Sequence, residues 1–197
     1  MINYLPDNRG GQCRGPEKGF TLIEAIIVVA SLSILVGVFF YLFDGVSQLR
    51  LFGEAQITSV DQGRISINEF TKYVSQGNRV LASRTIGGTN YDSNAFTVVL
   101  QIPAIDSNGD VIDSIWDYAV FYLSGSDLHY IFQPDNLSAR PAAQRRLSDS
   151  VTNLSFVYDD PDFTKVRNVG IDISVQRMAR SQAVSTHFIE EVELKNY

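Results

Sequence analysis

Residues 25–43 read AIIVVASLSILVGVFFYLF, an apolar run that contains no charged residue and no proline. About 20 such residues, rising 1.5 Å each in an α-helix, cross the hydrocarbon core of a bilayer. Helices buried in soluble domains seldom stay uncharged for so long. Gly37 and the nearby serines permit close helix packing in lipid. The run therefore predicts a transmembrane helix over residues 20–43.

The charges that flank the run predict its orientation. Arg9, Arg14 and Lys18 precede it, and the first charge after it is Asp44. Positively charged flanks stay in the cytoplasm, so we expect the N-terminus there and the chain after about residue 44 outside. A secretory signal peptide has a shorter apolar core with small residues at a cut after it, and no A-x-A pattern follows here. An uncleaved single-pass anchor stays open as an alternative.

The segment before the run carries a resemblance to a known family. Residues 18–24 read KGFTLIE, which resembles the cleavage site of type IV prepilins and pseudopilins. In that family a membrane aspartic peptidase, the prepilin peptidase, cuts after the glycine, the new N-terminal phenylalanine is N-methylated, and a glutamate stands fifth in the mature chain. The resemblance implies a cytoplasmic leader, residues 1–19, cleavage between Gly19 and Phe20, N-methylation of Phe20, and a role for Glu24 in assembly.

The position of Glu24 indicates a function on physical grounds as well. A carboxylate in an apolar membrane helix costs ~2.5–3.5 kcal/mol at the bilayer centre and less near an interface. Glu24 either lies at the headgroup level or finds a cationic partner. Cleavage after Gly19 creates such a cationic partner, the amine of Phe20. Glu24 of one subunit can then meet this amine in a staggered neighbouring subunit. Such an ion pair fixes the register between neighbouring subunits more than it stabilises the assembly, because desolvation of the charges cancels much of their attraction.

A helical period continues beyond the apolar run. Apolar residues fall on one stripe with polar residues opposite, the stripe being Ile57, Val60, Ile67, Phe70, Val74 and Leu81. We expect one helix from about Phe20 to Leu81, whose amphipathic half, residues 44–83, is bent or locally melted near residues 45–53 and packs on a sheet. A helix lying on the membrane is the alternative, but the polar face is not rich in Lys or Arg.

In residues 84–197 the apolar residues recur at every second position, which predicts a β-rich domain outside the cytoplasm. Alternation is most regular in residues 169–175, and residues 118–123 and 128–132 flank a plausible hairpin loop. Several short strands close together favour an antiparallel sheet. The predicted fold class is α+β, a long N-terminal helix packed on an antiparallel sheet, and the resemblance implies the ladle shape of pilins.

Later segments resemble a subgroup of the family. Residues 118–130 (YAVFYLSGSDLHY), 151–158 (VTNLSFVY) and 192–196 (VELKN) are similar to J-type minor pseudopilins of type II secretion and to related minor type IV pilins. His129 and Tyr130 stand where that subgroup often has arginine. The resemblance implies a minor, tip-proximal subunit for protein secretion or pilus assembly. Its implied partners are other pilin or pseudopilin subunits, an inner-membrane assembly platform and membrane lipid.

The sequence predicts no enzyme. It contains no G-x-S-x-G, H-E-x-x-H or P-loop string. The single cysteine, Cys13, lies in the leader, so the mature chain would have no thiol nucleophile. His129 and His187 are interpreted as surface residues. We therefore expect a structural subunit without a cofactor, and the alternative function is a membrane-anchored extracytoplasmic module that captures a ligand or DNA without forming a filament.

One segment has the composition of a calcium loop. Residues 106–110 read DSNGD, and the oxygen atoms of Asp106, Asn108 and Asp110 alternate as calcium ligands do. The Asn-Gly pair is also a strong hairpin-turn signal. A turn is the favoured interpretation, with calcium at these three residues as the alternative.

The charge balance disfavours DNA as a partner. The chain has 16 Lys and Arg against 22 Asp and Glu, a net charge of -6, whereas binding through the phosphate backbone needs a basic footprint. Arg140, Arg145 and Arg146 form a small cluster that we interpret as part of a solvated loop. A DNA-contacting patch is the alternative for these three residues.

Overall fold

A computed structural model describes Gly19 and residues 21–195. Phe20 and residues 1–18 of the predicted leader lie outside the described residues. The predicted α+β class is confirmed. The described chain has one helix and ten strands, with these bounds: α1 (Leu22–Val74), β1 (Arg79–Val80), β2 (Ser83–Ile86), β3 (Thr89–Asp92), β4 (Thr97–Ile105), β5 (Val111–Ser124), β6 (Asp127–Gln133), β7 (Ala143–Ser148), β8 (Val151–Tyr158), β9 (Asn168–Ala179) and β10 (Gln182–Glu193).

The chain divides into two compact units, Met1–Val46 and Ser47–Tyr197. In the first unit, every residue of α1 from Leu22 to Val46 is exposed. These residues include large apolar side chains such as Leu22, Phe39 and Tyr41, which are 63–82% exposed. The first unit therefore presents an apolar helix whose described residues are all exposed.

The second unit contains three antiparallel sheets. Their strand orders are β1-β4-β5-β6-β7, β10-β9-β8 and β2-β3. The predicted hairpin is confirmed as β5 and β6, which pair from Tyr118↔Gln133 to Ser124↔Asp127. The alternating residues 169–175 lie within β9, also as predicted.

Phe70 on α1 lies where the two larger sheets meet. Its ring packs on Phe121 of β5 at 5.8 Å and on Phe156 of β8 at 5.7 Å between centroids. Val74 beside it is likewise fully buried. The opposite face of the five-stranded sheet is covered by the β2–β3 hairpin, where Ile86 packs in a second apolar cluster with Val99, Val120 and Ile131.

The face of α1 that packs on the sheets differs in part from the predicted stripe. Phe70 and Val74 are buried as expected, but Ile57 is 64% exposed. The buried positions nearer the start of the second unit carry small residues instead, namely Ala55, Ser59, Gly63 and Ser66. A Cβ atom at Gly63 would overlap the ring of Phe188 on β10. The stripe prediction fails at Ile57 because this part of the helix approaches the sheet closely, through small side chains.

Gln62 on α1 fixes the helix to the turn between β7 and β8. Its Nε2 donates to Oδ1 of Asp149 at 3.0 Å, and its Oε1 accepts from the hydroxyls of Ser148 (3.0 Å) and Ser150 (3.2 Å). Arg177 of β9 also donates to Asp149. The hydrogen bond from Gln62 is the main cause that lowers the pKa of Asp149, and the charge of Arg177 adds to it.

The helix ends earlier than the sequence predicted. α1 stops at Val74, not near Leu81, and the chain turns at Gly77, whose N–H donates to the Val74 carbonyl at 2.8 Å. Residues 79 and 80 then pair with β4 as β1. The predicted amphipathic half, residues 44–83, is wrong at its end because these residues complete a sheet. Of the two alternatives for residues 45–53, local melting is wrong, since α1 continues through them, and a bend stays a prediction.

Candidate functional site

The first turn of α1 holds the predicted assembly residue, Glu24. Oε2 of Glu24 accepts hydrogen bonds from the N–H of Thr21 at 3.0 Å and from the hydroxyl of Thr21 at 3.1 Å. In return, the N–H of Glu24 donates to the Thr21 hydroxyl oxygen at 3.3 Å. This reciprocal pair is a capping box, in which the residue before the helix and the third helical residue satisfy each other's backbone donors. The helix therefore begins at Leu22 with Thr21 as its cap.

The cap gives Glu24 a local role that the sequence analysis missed. The signal was present, since Thr21-x-x-Glu24 directly before an apolar run is the sequence pattern of a capping box. An acid in the first turn also complements the positive end of the helix dipole. An ionised carboxylate has about four acceptor positions on two oxygens. A cap that uses Oε2 is thus compatible with a cation bound at Oε1.

Gly19 lies in open space. It is exposed, and a Cβ atom added there meets nothing within 4 Å. The fold of the described chain therefore does not require a glycine at this position. Phe20, the other predicted processing residue, lies outside the described part of the chain.

The stretch of α1 from Leu22 to Val46 is predominantly apolar and exposed. The helix is long and apolar enough to cross a membrane, and its most apolar stretch lies near the N-terminus with none of it buried within the protein. Exposing this many large apolar side chains to water is unfavourable, at roughly 25 cal/mol for each Å². The chain thus carries a potential membrane span that begins at the capped Thr21–Glu24 turn.

The candidate calcium residues form a turn between β4 and β5. Oδ1 of Asp106 accepts from the N–H groups of Asn108 (2.8 Å) and Asp110 (3.0 Å), and Oδ2 accepts from the Asn108 side chain at 3.3 Å. Gly109 has a φ of 91°, which favours glycine. The backbone hydrogen bonds from Asp110 and Asn108 lower the pKa of Asp106. These contacts support the turn interpretation, and within residues 21–195 no group of three His, Cys, Asp or Glu side chains could hold a metal ion.

Arg140 lies in a loop, between β6 and β7, but it is largely buried in an ion pair, so the expectation that it is solvated is wrong. It donates to Oδ2 of Asp117 at 2.9 Å and to the Pro103 carbonyl at 2.6 Å. Asp117 is fully buried, and its carboxylate also accepts hydrogen bonds from the Ser138 hydroxyl and from the N–H of Asp135. The pair ties the loop after β6 to β5. The two residues are 23 positions apart in the sequence, so no local sequence pattern predicts the pair.

The other two arginines of the cluster are paired as well. Arg145 and Arg146 lie in strand β7, not in a loop. Arg145 binds Glu69 of α1 at 2.7 Å, and Arg146 binds Asp127 of β6 at 3.2 Å. Each guanidinium of the supposed cluster therefore faces a carboxylate of the same chain. This arrangement disfavours a joint contact with DNA phosphates, which needs basic groups that are available to the ligand.

The histidines have separate surroundings. His187 is about half exposed and lies 2.8 Å from Asp172 on the neighbouring strand. His129 is partly buried and stacks on Tyr122 with ring centroids 5.2 Å apart. The two lie in different sheets, β10 and β6, and thus do not join in one site.

No family model matches the chain, and no curated protein matches it. The function is therefore inferred from the N-terminal segment and the fold.

Proposed function

We propose that this protein is a minor pilin or pseudopilin, a structural subunit that assembles through its N-terminal helix into a type IV pilus or a type II secretion pseudopilus. The observation that carries the proposal is the order of features at the N-terminus. Gly19 is followed by the Thr21–Glu24 cap, by an apolar helix exposed from Leu22 to Val46, and then by an α+β unit. This order is the one that the prepilin resemblance of residues 18–24 implies.

The proposed location follows from the same features. The precursor is a single-pass protein of the cytoplasmic membrane, with residues 1–19 in the cytoplasm because of their positive charges. The unit Ser47–Tyr197 lies outside the cytoplasm. Membrane lipid covers the apolar helix in the precursor, and helices of neighbouring subunits cover it in the filament.

Processing and assembly involve three positions. The prepilin peptidase cuts between Gly19 and Phe20, and N-methylation keeps the positive charge of the new terminus. Glu24 of one subunit then pairs with the Phe20 amine of its neighbour. The cap on Thr21 holds the Glu24 carboxylate at the first turn of the helix, where such an amine would approach. Other pilin subunits and an inner-membrane assembly platform are the implied partners, and a tip-proximal place is the implied position.

The test separates the charge of Glu24 from its capping role. Glutamine also forms a capping box, so Glu24→Gln keeps the cap and removes the charge, whereas Thr21→Ala weakens the cap and keeps the charge. Cells carrying each variant are sheared, and the amount of the subunit in the filament fraction is measured by immunoblot. Processing is checked in parallel from the mass of the chain.

The charge should decide the outcome. Incorporation of Glu24→Gln should fall by about tenfold or more, since leaving one member of a desolvated pair without its partner costs ~3–5 kcal/mol. Thr21→Ala should be incorporated nearly as well as the wild type. Normal incorporation of Glu24→Gln would remove the ion pair from the proposal. A chain that stays full length and never enters filaments would support the alternative, a membrane-anchored binding module.

A further inference from the structure

Strand β10 forms an open edge of the three-stranded sheet. It pairs with β9 over all 12 of its residues, from Gln182↔Ala179 to Glu193↔Asn168, and the register has no shift. On its other side, no strand of the described chain pairs with it. The row of backbone groups on that side is therefore available to another chain.

The backbone groups that face the open edge can be identified. The N–H of Leu194 donates to the Arg167 carbonyl, on the side of β9, at 2.7 Å. The N–H of the next residue, Lys195, donates at 3.0 Å to the carbonyl of Gly77, on the opposite side. Because antiparallel strands alternate in this way, the odd-numbered residues from Ala183 to Glu193 direct their N–H and C=O groups away from β9. All six are exposed.

The other long edges of the two larger sheets carry protection that β10 lacks. β7 has a register shift against β6 and presents Arg145 and Arg146. On the outer side of β8, the N–H of Phe156 donates to the Ala95 carbonyl at 2.8 Å. β10 reads QAVSTHFIEEVE, without proline, lysine, arginine or a bulge. Proline, lysine and bulges are devices that keep edge strands from pairing at all. The charged residues of β10 are only glutamates, which repel an acidic strand and attract a basic one, so this edge is selective and not closed.

We propose that the open edge of β10 docks an extended segment of another protein chain, with an apolar residue opposite Ile189 and a basic residue opposite Glu191. Added strands gain affinity from main-chain hydrogen bonds and specificity from alternate side chains. Ile189 is 68% exposed, and with Val157 it lines an apolar groove of about 250 Å³ on the outer face of the sheet.

Charge selects the chemistry of the docked segment. Glu190, Glu191 and Glu193 lie together at one end of β10, and none of them forms an ion pair within residues 21–195. Residues directly opposite each other in paired strands interact, and opposite charges there are favourable. The inference goes beyond the proposed function, because it concerns the sheet alone and needs neither leader cleavage nor filament assembly.

The test uses the full-length chain in detergent micelles and two fluorescein-labelled short peptides. Both alternate threonine with two side chains of one sign followed by one isoleucine, an order that places the charges opposite Glu193 and Glu191 and the isoleucine opposite Ile189 in an antiparallel pairing. The charged residues are lysines in the first peptide and glutamates in the second. Binding is measured by fluorescence anisotropy. The lysine peptide should bind about tenfold tighter than the glutamate peptide, given the acidic end of the strand.

Two variants examine the backbone and the charge separately. Ser185→Pro removes an N–H that faces the open edge and not β9, so the β9–β10 ladder keeps its hydrogen bonds, and binding should weaken about tenfold. Glu191→Lys lies on the exposed face and should reduce the preference for the lysine peptide, because two of the three glutamates remain. Its melting temperature, like that of Ser185→Pro, is measured to confirm the fold.

Several results would overturn the proposal. These are no binding of the lysine peptide, binding that Ser185→Pro leaves unchanged, or a preference that Glu191→Lys does not alter. Self-association of the chain that Ser185→Pro abolishes would also overturn it, because the occupant would then be a second copy. Failure of leader cleavage in cells would contradict the filament proposal and leave this one intact.

Discussion

Gly63 offers a direct test of how α1 packs on the three-stranded sheet. A Cβ atom at this position would overlap three ring atoms of Phe188. Inserting a methyl group into a packed contact costs ~1–3 kcal/mol, whereas glycine to alanine in a helix interior gains ~1 kcal/mol. We therefore expect Gly63→Ala to lose up to ~2 kcal/mol of the free energy of unfolding.

Gly53 provides the matched control in the same helix. A Cβ atom there meets nothing within 4 Å, so Gly53→Ala should gain up to ~1 kcal/mol from helix propensity alone. The two substitutions should thus shift the melting temperature in opposite directions, by ~2–4 °C for each kcal/mol in a chain of this size. The measurement is thermal unfolding of the full-length chain in detergent, followed by circular dichroism.

A double-mutant cycle with Phe188→Ala identifies the contact. Removing the ring makes room for the methyl group, so Gly63→Ala should be neutral or stabilising in that background. Equal stabilisation by Gly63→Ala and Gly53→Ala in the otherwise unchanged chain would refute the close approach of α1 to β10.

Three further predictions concern charged groups. Asp117→Ala leaves Arg140 without its buried partner and should lower the free energy of unfolding by ~3 kcal/mol; a loss below ~1 kcal/mol in chemical denaturation would contradict the buried pair. The pKa of Asp149 is lowered in the fold. Its contribution to the free energy of unfolding should therefore be fully present above the unfolded pKa of ~3.9 and be lost as the pH falls through the pKa of the folded state. Asp149→Asn should flatten that decline, and an unchanged pH profile would count against the contact with Gln62. Added calcium should leave the melting temperature unchanged if Asp106 serves its turn alone, and a rise would establish the calcium alternative.

Local patterns sufficed for part of the fold. The apolar run at residues 25–43 needs no partner to be recognised, and alternation at residues 169–175 identified β9 because one face of that strand is buried. The end of α1 could not be predicted in this way. The predicted stripe runs on to Leu81, yet residues 79 and 80 just before it pair with β4, and this pairing depends on a strand about 20 residues further along the chain.

For the candidate site, the sequence indicated candidate residues better than it predicted their contacts. The cost of a charge in an apolar helix indicates a function for Glu24, but it does not predict the hydrogen bonds of its cap on Thr21. The burial of Arg140 was not predicted because its partner Asp117 is distant in sequence. The small face of α1 at Gly63 could not be predicted from local sequence, because the ring that it contacts, that of Phe188, lies on the last strand.

The mass of the mature chain purified from membranes tests the central claim most directly. It should correspond to a chain that begins at Phe20 with a methyl group on its amine, and Gly19→Leu should keep the leader while Gly15→Leu does not. The fold does not require glycine at Gly19, so a block there would reflect recognition by the peptidase. A mass that includes Met1 in the wild-type protein would contradict the account.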